Sequence, residues 1–195
     1  MEHSIKQELT GVVAFIAVIW LVFLAEQLPT LNLLALGLTP RTSNGLIGIV
    51  TAPFLHLNFQ HLLANTVPLL VLLILLAGSK ANSWGIVIAI TLLGGALLWL
   101  VGRPATHVGA SGLIFGLMSF LMVSGVRERR FVPLMVAILV GMLYGGSLLA
   151  GVVPRFGSSI SWDGHLCGAI AGAIVAVLLT QRPSTTADRP SRTLA

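Results

Sequence analysis

Residues 106–116 read THVGASGLIFG, a serine set among small residues at the head of an apolar run long enough to enter a membrane. A serine in such a place ordinarily caps its helix or bonds back to its own backbone. Whether Ser111 does more depends on the groups that the rest of the chain brings to it.

The chain as a whole calls for a bilayer. Of its 195 residues, 56% are hydrophobic and only 9% are charged, and the mean hydropathy is +0.98. A soluble domain carries about a quarter charged residues, so this chain cannot cover a water-facing surface. Apolar runs of about 17–25 residues read as membrane-spanning helices. Six are present, at 9–25, 62–78, 85–102, 109–126, 131–153 and 164–180. The first is read as a retained span: Glu2 and Glu8 spoil a basic signal-peptide start, and no small-residue cleavage site follows. The expected fold is all-α, a polytopic six-helix membrane domain over 1–181. A polar, proline-containing tail at 182–195 is expected to be disordered.

Basic residues orient the helices. With the N-terminus inside, the inner segments hold Lys6, Lys80, Arg127, Arg129, Arg130, Arg182, Arg189 and Arg192, and the outer ones hold Arg41, Arg103 and Arg155. Both termini are therefore expected in the cytoplasm. The net charge of +5 reflects this topology and contact with anionic lipid. It gives no basic stripe on a folded surface, so no nucleic-acid partner is expected. The single cysteine, Cys167, excludes an intrachain disulfide. No His, Cys or carboxylate cluster has metal-ligand spacing, and neither a metal nor a cofactor is expected.

The second, fourth and sixth spans all begin at the outer face, and each brings polar residues there. His56 precedes the second span, His61 stands at its start, and Asn65 follows four residues later on the same helix face. Ser111 heads the fourth span and His165 the sixth. Polar groups inside membrane spans are costly and normally face a bundle interior or a wet cavity. Gly112 and Gly116 are spaced four apart, as are Gly164, Gly168 and Gly172. Such faces let membrane helices approach closely. If the two faces meet, Ser111 and His165 come together, and serine with histidine makes an activated nucleophile. His61, Asn65 and the Ser111 amide at a helix N-terminus are suitable donors for a developing oxyanion.

At this point the chain resembles the rhomboid family of intramembrane serine proteases. Gly109, Ser111, Gly112 and Gly116 look like its G-x-S-G-x-x-x-G motif. GHLCGAIAG at 164–172 is similar to its A-H-x-x-G-x-x-x-G motif, and HLNFQHLLAN at 56–65 to its H-x-x-x-x-H-x-x-x-N motif. All three stand in the family's order. The resemblance implies a six-helix rhomboid-like bundle with a Ser111–His165 dyad, and oxyanion contacts from His61, Asn65 and the Ser111 amide. It implies supporting parts for His56, Gly109, Gly112, Phe115 and Gly168. Substrates would be transmembrane proteins cleaved near their outer ends, in a prokaryotic plasma membrane. The fifth span and the loop 154–161 would form a lateral gate and cap, softened by Gly145 and Gly146. The alternative is an inactive relative that binds membrane segments and passes them on.

The chain also departs from the family pattern. Ile47 and Gly48 stand where many members carry a Trp-Arg pair, Phe115 replaces a tyrosine, and Gly164 replaces an alanine. Asp163, two residues before His165, is expected to cap its helix, because residues two apart do not face each other. His107 is read as a loop histidine, and Arg127 to Arg130 as a topology signal.

Overall fold

In a computed structural model of the chain, residues 5–154 and 160–180 are described. The tail at 182–195 and most of the expected cap loop lie outside them. Among the described residues seven α-helices follow in order: α1 (Ile5–Glu26), α2 (Gly48–Thr51), α3 (Phe59–Ser79), α4 (Ser83–Val101), α5 (Ser111–Glu128), α6 (Phe131–Gly151) and α7 (Trp162–Leu179). All but α2 are long and apolar enough to cross a membrane. The six expected spans are thus present, with ends shifted by a few residues. No strand forms among the described residues; an isolated bridge joins Leu38 to His107.

Local chemistry sets the helix ends. Asn58 caps α3, its side chain accepting the His61 amide at 2.8 Å. Arg129 ends α5 in the left-handed conformation, with φ of 52°. Pro133 sits in the first turn of α6, where its missing N–H leaves no helix bond unmade. Arg127 reaches from α5 to the Val177 and Thr180 carbonyls at the end of α7, so it closes a helix C-terminus as well as marking topology. Beside it, Lys80 pairs with Glu128.

The fifth helix is the axis of the bundle. Phe115 to Leu121 are buried without interruption along it. By contrast α1 and α6 bury few of their apolar side chains, as helices facing lipid do. The contact of α5 with α7 is made by glycine. A Cβ added at Gly168 would overlap the Gly112 carbonyl, and one at Gly172 would overlap the Gly116 carbonyl. Backbone therefore lies on backbone, as the two small-residue faces predict. On the other side of α7, Gly94 of α4 faces the Gly168 Cα, which an added Cβ would meet at 3.4 Å.

The segment between α1 and α3 is ordered. It holds three 3-10 turns and α2. Arg41 donates to the Leu100 and Gly102 carbonyls, at 3.2 and 2.8 Å, and so closes the end of α4. The indole of Trp99 donates to the Thr42 carbonyl at 2.9 Å. Leu38 and His107 exchange both backbone hydrogen bonds, at 3.0 and 2.8 Å. Gly48 lies directly on the Leu38 backbone. No side chain fits there, so this backbone requires glycine at that position.

Candidate active site

The starts of α3, α5 and α7 converge on one cavity of about 850 Å³. Ser111, His165, His61, Asn65 and Phe115 all line it. A second space of about 60 Å³ lies behind Ser111 and Gly112, bounded by His107, Ser161 and Gly164. Polar groups carried by three different spans therefore share one recess at one end of the bundle.

Ser111 is the first residue of α5, and Ala110 occupies the cap position. No side-chain hydrogen bond caps this helix. The ordinary reading of Ser111 as an N-cap is therefore not what the geometry gives. Its hydroxyl points to no described partner, and no hydrogen bond joins it to His165. Gly109 turns the chain into α5 with φ of 111°. The His61 ring covers this glycine so closely that an added Cβ would stand 2.6 Å from Cε1. Glycine is thus required at position 109 both by conformation and by space.

His165 is held on two sides. Phe115 stacks on its ring with centroids 4.1 Å apart and planes 9° from parallel. Phenylalanine at this position is thus sufficient for the stack. On the ring edge, Nδ1 lies 3.0 Å from the Gly151 carbonyl oxygen at the end of α6. A carbonyl oxygen can only accept, so Nδ1 carries the hydrogen, and in the neutral ring Nε2 keeps its lone pair. That tautomer suits a base. Gly151 was not legible as a site residue, because a backbone carbonyl leaves no mark in the amino-acid sequence. Its own lack of a side chain is required, since a Cβ there would overlap the Phe115 ring.

Asn65 is buried and lines the cavity. One of its amide hydrogens goes to the His61 carbonyl at 2.7 Å, a bond within its own helix. The amide nitrogen has a second hydrogen to offer. His56 does not line the cavity. It is buried before α3, with its ring centroid 5.1 Å from that of His61. Burial, reinforced by the neighbouring His61, pushes His56 down to about 4, against an opposing pull from the Phe54 backbone. It is therefore a neutral ring that supports His61 from behind. Gly112 and Gly168 act through the α5–α7 contact already described.

Asp163 does not cap α7. It lies in the first turn of that helix and reaches across to the segment between α4 and α5. Its carboxylate accepts the Arg103 amide at 2.8 Å and the guanidinium at 3.2 and 3.1 Å. His107 is a loop histidine, yet buried, with Nδ1 2.7 Å from the Ser161 hydroxyl. The polar cluster of Arg103, His107, Ser161 and Asp163 was not anticipated, because its members are about 60 residues apart in the chain. Among the described residues no group of three metal-ligating side chains occurs.

Similarity to known proteins agrees with this architecture. The Rhomboid domain family matches residues 43–182. An uncharacterized protein of Mycobacterium tuberculosis is 43% identical over 181 residues, covering 88% of this chain and 75% of that protein. One from Mycobacterium leprae is 43% identical over 179 residues, covering 87% and 70%. Rhomboid-like protein 11, chloroplastic, of Arabidopsis thaliana is 31% identical over 162 residues, covering 72% and 55%. The chain belongs to the rhomboid family. It is a multi-pass membrane protein built as a rhomboid-like helical bundle.

Proposed function

We propose that this rhomboid is an intramembrane serine endopeptidase that hydrolyses peptide bonds in or near transmembrane segments. The observation that carries the reading is the setting of His165. Its Nδ1 hydrogen is committed to the Gly151 carbonyl, leaving Nε2 basic beside the cavity that Ser111 also lines. The Gly151 oxygen takes the orienting part that a carboxylate plays in a Ser-His-Asp triad.

In this reading Ser111 Oγ attacks the substrate carbonyl carbon as Nε2 of His165 takes its proton. Negative charge gathers on the carbonyl oxygen. The Asn65 amide, His61 and the unpaired backbone N–H of Ser111 at the start of α5 stabilise it. Collapse expels the amine, which receives the proton from His165 and leaves an ester on Ser111. Water, activated by the same imidazole, cleaves the ester and regenerates the serine. Water has to reach the site, and a recess of about 850 Å³ allows it. No cofactor enters the scheme. The basic-residue asymmetry supports a cavity that opens to the extracytoplasmic side, with both termini in the cytoplasm.

The test is covalent labelling of the purified protein in lipid by a fluorophosphonate, beside cleavage of single-span substrates. Labelling and cleavage that vanish in Ser111→Ala and His165→Ala support the protease. Well-folded protein that neither labels nor cleaves identifies instead a binder of membrane segments.

A further inference from the structure

The serine and the histidine of the proposed dyad stand on helices that begin about 50 residues apart in the chain. The glycine contact sets how closely α5 and α7 approach along their length. It does not by itself set how the residues before each helix lie relative to one another. That second constraint comes from the buried polar cluster above the contact.

Arg103 follows α4 in the segment that leads through His107 and Gly109 into Ser111. Asp163 stands two residues before His165. Three hydrogen bonds join the pair, one from the Arg103 backbone and two from its guanidinium. The same guanidinium donates to the Ile160 carbonyl at 3.0 Å and lies 5.3 Å from the Trp162 ring centroid. Below it, His107 joins the Ser161 hydroxyl at 2.7 Å, and its Nε2 lies 3.3 Å from the Arg103 carbonyl oxygen. Every link in the cluster thus runs between the serine-bearing segment and the start of α7, or within one of them.

The Asp163 side chain is only 7% exposed. A buried carboxylate is retained only if its charge is met, and the forked guanidinium plus a backbone N–H meets it with little freedom of angle. The Arg103 side chain is itself 32% exposed, so the constraint lies at the buried carboxylate end, where three hydrogen bonds fix the angle.

We propose that Arg103 and Asp163 are positioning residues for the dyad: they strap the segment before Ser111 to the first turn of α7, and so set the approach of Ser111 Oγ to His165 Nε2. Neither touches the reacting atoms. The inference rests on the protease reading, but its geometric part can be measured without activity.

The test uses the full chain in lipid with two readouts. The first is the fluorophosphonate labelling rate of Ser111, normalised to the folded fraction. The second is the distance distribution between nitroxides on the exposed positions 105 and 170, in a Cys167→Ala background. Misplacing a reacting group by about 1 Å costs about 10²-fold. The labelling rate of Asp163→Ala should fall by about that factor, with a broadened distance distribution. Arg103→Lys, which keeps the charge but loses the fork, should fall between Asp163→Ala and the unaltered protein in both, and serves where Asp163→Ala does not fold. A rate within about twofold of the unaltered protein, or a distance distribution as narrow, overturns the inference. If the unaltered protein does not label at all, the protease reading fails and the distance readout alone decides the strap.

Discussion

Gly168 of α7 rests on the carbonyl of Gly112 in α5 with no room for a methyl group between them. One turn further on, Gly172 meets Gly116 in the same way. These contacts bring Ser111 and His165 to the same cavity. Ala or Val at Gly168 has to push the two helices apart. Overpacking of this kind costs about 1–3 kcal/mol. Gly168→Ala should lower the unfolding midpoint in detergent and reduce labelling of Ser111 together. An unchanged midpoint would mean that the helices separate freely.

In the proposed mechanism His61 and Asn65, which both line the cavity, are the side-chain donors to the oxyanion. Removing one oxyanion donor typically costs about 10²–10³ in kcat. Asn65→Ala is expected to show that loss with KM changed little, since the interaction forms only as the transition state is reached. His61→Ala should lose activity similarly. It should also loosen the turn at Gly109, which the imidazole covers. Steady-state cleavage of a single-span substrate separates the two constants.

His56 gives the fold a pH dependence of known sign. Its pKa is lowered in the fold to about 4, from 6.5 as a free side chain. Between these values the unfolded chain binds the proton and the folded chain does not. Stability therefore rises with pH across this window, and acid destabilises the fold as pH falls from 6.5 toward 4. Unfolding midpoints measured from pH 4 to 7 should show a flatter slope in His56→Gln than in the unaltered chain. Equal slopes would mean that His56 is protonated in the fold.

Gly145 and Gly146 have no neighbour within 4 Å of where a Cβ would stand. Packing therefore does not require glycine at either position. Both lie between the part of α6 fastened at Pro133 and Ala137 to Gly125 of α5, and Gly151, which holds His165. Alanine at both sites should strengthen the helix by up to about 1 kcal/mol each. If α6 has to bend to admit a substrate helix, the double variant should cleave membrane substrates more slowly while labelling with a small fluorophosphonate at the normal rate. Equal cleavage rates would show that α6 works as a rigid rod.

The six apolar runs and the glycine spacings could be read from the chain alone, because both are local. A helix of about 20 apolar residues has a bilayer as its solvent whatever its neighbours are, and glycines four apart mark a helix face before any partner is known. That is why the meeting of α5 with α7 could be anticipated from Gly112, Gly116, Gly168 and Gly172. What only the folded chain decided depends on long-range approach. The Gly151 carbonyl beside His165 belongs to a backbone group common to all residues. The Arg103–Asp163 pair joins positions 60 apart in the chain. The turns between α1 and α3 take their order from Leu38 pairing with His107, far along the chain. Hydrogen bonds of this kind are specified by distance and angle in three dimensions, and residue type or spacing does not encode them.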